Sequence, residues 1–67
     1  MTQDEMLQLI EAIQEVRDIL DCNEKTASWF TIGNPHFGGI KPIIMFMIGR
    51  GHKVLSFIKN AKEENWP

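Results

Sequence analysis

Six consecutive apolar residues, Ile43-Ile44-Met45-Phe46-Met47-Ile48, directly follow a proline and leave no polar face on any helix they form. Such a helix has to be surrounded, either by its own domain or by a partner. A chain of 67 residues has little with which to do this, because a domain this small buries only ~60% of the surface its unfolded chain exposes. The segment ahead of the run, Asn34-Pro35-His36-Phe37-Gly38-Gly39-Ile40-Lys41-Pro42, sets its direction. Pro35 pushes Asn34 into an extended conformation. Gly38-Gly39 permits a turn where a Cβ would clash. Pro42 suits a first helical position, where its missing N–H is not needed.

Three further helices can be read around this rod. Thr2-Gln3-Asp4-Glu5 has the capping-box pattern, Thr at the N-cap and Glu three residues on. Met6, Leu9, Ile10, Ile13, Val16 and Leu20 then recur at spacings of three and four, which predicts an amphipathic helix over 3–20 with Gln8, Glu11, Glu15 and Asp18 on its wet side. Asn23 is a candidate N-cap for a short helix over 24–31, with Ala27 and Phe30 facing inward, Trp29 beside them, and Gly33 just past its end. The apolar rod occupies 42–48. Gly49-Arg50-Gly51 breaks the chain, and a last helix runs over 52–63 with Val54, Leu55, Ile58 and Ala61 toward the core, Lys53, Lys59 and Lys62 toward water, and Phe57 off the stripe. The expected fold is all-α, one domain over 1–67, a small orthogonal bundle of about four short helices with tight Gly/Pro connections. Asn65-Trp66-Pro67 forms a tail.

Several classes of protein are disfavoured. One cysteine, Cys22, allows no internal disulfide, and no Cys/His cluster suggests a metal. The polar, acidic start is no signal peptide, the apolar run is too short to span a bilayer, and a lone thiol suits the cytoplasm. Residues 1–24 carry seven acids and one base, residues 25–67 six bases and two acids. Each set reads as a solvated helix face, or else the basic half meets an acidic partner. The net charge of −2 argues against a dedicated nucleic-acid surface.

No catalytic constellation emerges. Cys22 and His36 flank the second helix, but nothing obvious in the sequence lowers the thiol pKa. The carboxylates Glu11, Glu15 and Asp18 lie on a wet face, where burial cannot separate their pKa values. The glycines form no phosphate-binding loop, although Arg50 could meet an anion at the start of the last helix. The expectation is a non-enzyme with no cofactor or metal. It carries surplus apolar surface, with Met45 or Met47 and Phe57 as a contact patch and Trp66 as an interface anchor.

The combination Ala27-Ser28-Trp29-Phe30, then Asn34-Pro35-His36-Phe37-Gly38-Gly39-Ile40-Lys41-Pro42-Ile43, then Gly49-Arg50-Gly51-His52-Lys53-Val54-Leu55 resembles the toxin-binding domain of Xre/MbcA/ParS-type antitoxins. That family shows an A-x-x-W-L helix end, an N-P-x-L-G-G-x-x-P-L/I turn and a glycine opening a V-L-x-x-L helix. Trp29, Asn34, Pro35, Phe37, Gly38, Gly39, Pro42 and Ile43 fall on the motif, with Phe30 and Phe37 standing where the family usually has Leu. The resemblance implies a protein-binding module that blocks a RES-type, NAD-consuming toxin. Motif residues would be mostly architectural, and Lys41, Arg50 and Trp66 would touch the toxin. The DNA-binding half that precedes the module in full-length antitoxins has no counterpart in these residues, so the expectation is a stand-alone module or a truncated relic. A homo-oligomeric regulatory or scaffolding module is the alternative, and a nucleic-acid binder using the basic half a more remote one.

Overall fold

The computed structural model describes residues 1–64; the expectations placed on Trp66 and the tail lie outside the described residues. Helix α1, Gln3–Leu20, opens on the expected capping box. The Glu5 N–H donates to the Thr2 hydroxyl at 3.2 Å, and the Thr2 N–H and O–H donate back to the Glu5 carboxylate at 3.2 and 2.8 Å. Those two donors, the hydroxyl first, hold the Glu5 carboxyl below its ordinary pKa. A depressed folded-state pKa contributes stability that is present above the unfolded value and is lost as pH falls through the folded one. Thr2→Ala removes the cap, and a loss of about 1 kcal/mol is expected. Thermal melts check that loss, and NMR titration should show the Glu5 midpoint rising toward its ordinary value.

Helix α2, Asn23–Thr31, starts one residue earlier than expected. Cys22 is its N-cap and Asn23 its first helical residue, because the Asn23 side chain is taken by Arg17, whose Nε donates to Asn23 Oδ1 at 2.6 Å. A 3-10 turn, Pro35–Phe37, interrupts what the sequence reads as plain loop. Helix α3, Pro42–Met47, has Pro42 in its first turn, as expected, and stops one residue short, with Ile48 at the C-cap. Helix α4, Gly51–Glu64, begins on Gly51 itself. These are the four α-helices of the described residues, which contain no strand, and the fold is a small all-α bundle. No helix among the described residues is long and apolar enough to cross a membrane.

The core joins Ala12 and Val16 of α1, Phe30 of α2, Met45 and Phe46 of α3, and Val54, Leu55 and Ile58 of α4. The α4 face is the predicted one, Ala61 included. The α1 face is not. Leu9, Val16 and Leu20 pack inward together with Ala12 and Ile19, but Met6, Ile10 and Ile13 are 54, 48 and 38% exposed. Apolar residues cover too wide an arc of α1 for one neighbour to bury, and the short side chain of Ala12 marks the line of close approach. The flank carrying Glu11 and Glu15 turns toward α4, where Lys59 Nζ lies 3.5 Å from Glu11 and Lys62 Nζ 2.5 Å from Glu15. The acidic and basic segments thus meet each other within the chain, and Glu15 draws the Lys62 pKa upward.

Three smaller expectations also change. Ala27 is exposed and Thr26 is buried in its place, its hydroxyl donating to the Cys22 carbonyl at 2.7 Å. Met45 is 4% exposed and belongs to the core, so it is no contact residue, whereas Met47 is 61% exposed. Phe57 is half-buried within an aromatic cluster and is not a solvent-facing side chain.

Candidate protein-docking face

The loop between α2 and α3 is tied to itself by one residue. The Asn34 N–H donates to the Ile40 carbonyl at 3.2 Å, and the Asn34 carbonyl accepts from the Phe37 and Gly39 N–H groups, both at 2.9 Å. Its side-chain Oδ1 takes the His36 N–H at 2.9 Å. Asn34 therefore closes both the 3-10 turn and an isolated antiparallel bridge to Ile40. Gly38 (φ 68) and Gly39 (φ 82) occupy left-handed backbone, which side chains with a Cβ rarely tolerate. Gly33 has a different task. A Cβ there would lie 2.4 Å from the Gly39 carbonyl oxygen, so its hydrogen is what lets the two loop ends approach.

The closed loop is pinned to the bundle by rings. Phe57 of α4 lies 4.6 Å from His36 and 5.5 Å from Phe37, centroid to centroid, and 6.4 Å from Trp29 in a stacked arrangement. Trp29 in turn meets Phe30 edge-on at 4.9 Å. Offset and edge-to-face geometries of this kind are favourable beyond their buried area. Beside the cluster runs a shallow groove of about 280 Å³, formed by Leu20, Lys25, Trp29, Ile32 and Pro35. Ile32 is 63% exposed at its edge.

The structure thus brings Trp29, Asn34, Pro35, Phe37, Gly38 and Gly39 into one unit, while Pro42 is fully buried at the start of α3. Lys41 is exposed where the loop enters α3 and uses its carbonyl, not its side chain, to cap the helix. Arg50 is exposed at the far end of α3, in a turn closed by its own N–H to the Met45 carbonyl at 2.7 Å. That turn lies by the start of α1, since a Cβ on Gly49 would be 3.8 Å from a Glu5 carboxylate oxygen. Six helical residues, about 9 Å of rise, separate it from the loop. Arg50 therefore does not join the loop face.

Ile32, Leu20 and Lys25 are the members of this face that the sequence reading misses. No local signal marks Ile32, whose 63% exposure at the α2 C-cap follows from how the helices assemble. Cys22 departs from expectation in another way: the N–H groups of Lys25 and then Glu24, at the start of α2, lower its thiol pKa. His36 packs on the Phe57 ring, 4.6 Å between centroids. Compared with known proteins, the chain matches no family model, no curated protein and no solved structure.

Proposed function

We propose that this chain is a protein-interaction domain that binds and neutralises an NAD-consuming enzyme of the RES type, as an antitoxin does. Trp29, Asn34, Pro35, Phe37, Gly38 and Gly39 support the reading because each has a geometric task in one preformed surface. A loop closed by its own hydrogen bonds loses little freedom on binding, and affinity is then not spent on ordering it. The observation that carries the proposal is Ile32, a large apolar side chain standing in solvent at the rim of a groove beside that loop.

Co-expression with a RES-type enzyme tests this. The chain is expected to relieve the growth arrest the enzyme causes and to co-purify with it; if it does neither, the proposal falls. Ile32→Asp places a charge in the contact while leaving the fold intact, because the side chain is exposed. A buried interface anchor lost in this way weakens binding by roughly tenfold or more, measurable by calorimetry. A homo-oligomeric module is the second reading, favoured by the apolar residues that α1 and α3 leave uncovered.

A further inference from the structure

Two grooves differ in what their polar groups are doing. In the groove of about 270 Å³ between α1, α2 and the start of α3, every polar side chain of the wall is engaged within the chain. Thr26 and Thr31 donate to the carbonyls four residues back, at 2.7 and 2.8 Å, and Arg17 holds Asn23. The groove on the loop face is different. Lys25, Ser28 and Ile32 follow one another at spacings of three and four, so they form one line along α2 and its cap. Among the described residues, Lys25 is in no ion pair. The Ser28 hydroxyl, unlike those of Thr26 and Thr31, bonds to nothing there. Asn34 spends its side-chain oxygen on the His36 N–H, which leaves its Nδ2 to donate. The acids nearest Lys25 in sequence, Asp21 and Glu24, stand outside the wall, and neither is paired with it.

We infer that this groove takes a partner segment in which a bulky apolar side chain stands beside a carboxylate. The side chain lies against Leu20 and Ile32, and the carboxylate meets Lys25 and Ser28. That assignment rests on the groove being the docking site argued above, and it names what the partner brings. Charge complementarity selects the carboxylate. A negative acceptor satisfies the ammonium and the hydroxyl together, and a carbonyl of the segment suits the Asn34 amide, whereas a cation would set like charge on like and leave the donors unpaired. Size selects a single anchor. The groove of about 280 Å³ falls below the ~300–1,000 Å³ of sites that enclose a whole small molecule. It holds one side chain and leaves the rest of the segment on the surface.

NMR titration of the full chain with N-acetyl-phenylalanine and with N-acetyl-phenylalaninamide tests this without any enzyme. The acid is expected to give saturable shifts at the Ser28, Ile32 and Gly33 amides. It should bind about threefold to tenfold more tightly than the uncharged amide, the range of an exposed charge-assisted contact. Lys25→Gln, at an exposed position, should bring the acid down to the affinity of the amide and leave the amide unchanged. Salt at about 1 M should narrow the same gap, and Lys25→Arg should keep it. Absence of saturable shifts, equal binding of acid and amide, or a Lys25→Gln loss shared by both overturns the inference. The enzyme experiment reads separately. A chain that prefers the acid but does not neutralise a RES-type enzyme loses the proposed function and keeps this groove chemistry. A chain that neutralises the enzyme but shows no preference for the acid loses this inference alone.

Discussion

Gly51→Ala is expected to destabilise the domain severely, although a glycine-to-alanine change in a helix ordinarily stabilises it by up to about 1 kcal/mol. Gly51 is the first residue of α4 and is buried. A Cβ there would lie 2.2, 2.5 and 3.0 Å from three carbons of the Phe46 ring. Phe46 is fully buried at the centre of the core, so its ring has nowhere to move. Either the ring leaves its well or α4 shifts along α3, and overpacking of this kind costs typically 1–3 kcal/mol. A domain of this size holds roughly 3–10 kcal/mol in total. The helix-propensity gain is smaller than the clash, so the net sign is negative, and chemical denaturation reads it directly. Substituting Phe46 with Leu in the same chain should recover part of the loss, because contacting residues couple non-additively.

Gly33→Ala is expected to act at the other end of the same rod. Its Cβ would meet the Gly39 carbonyl oxygen at 2.4 Å, and that oxygen belongs to backbone that four Asn34 hydrogen bonds hold in place. The Asn34–Ile40 bridge must open to admit a methyl group. A stability loss of about 1–3 kcal/mol follows from the strain. A larger effect is expected on binding, because the loop would lose its preformed shape and the docking surface with it. Hydrogen exchange distinguishes the two effects: the Phe37 and Gly39 amides should lose protection in Gly33→Ala while those of α1 and α4 keep most of theirs. Uniform loss of protection would mean that the loop is coupled to the whole fold.

Local chemistry made much of this architecture legible. Thr2 and Glu5 announce the first cap, Pro42 the start of α3, and Gly49 with Gly51 the break before α4, because caps, prolines and left-handed turns act within a few residues. The α4 face was equally clear, since its apolar residues fill a narrow arc between lysines. The rotation of α1 was hidden because Met6, Ile10 and Ile13 fit a helical stripe as well as Ala12 and Ile19 do. Only the position of α4, with its lysines on Glu11 and Glu15, decides which stripe goes inside. The role of Gly51 was also out of reach. A glycine two residues after another glycine reads as turn chemistry, whereas here it admits a ring from five residues back. In the candidate site, the loop motif was visible as a pattern, but its partner Ile32 was not, because exposure at a helix end is a property of the assembled bundle.

The most direct measurement is the NAD consumption of a RES-type enzyme titrated with this chain. If the loop face docks on that enzyme, consumption falls to background at a fixed ratio of chain to enzyme, and the Ile32→Asp chain requires at least about tenfold more to reach the same point. Undiminished NAD consumption in the presence of a large excess of folded chain would contradict the proposed function.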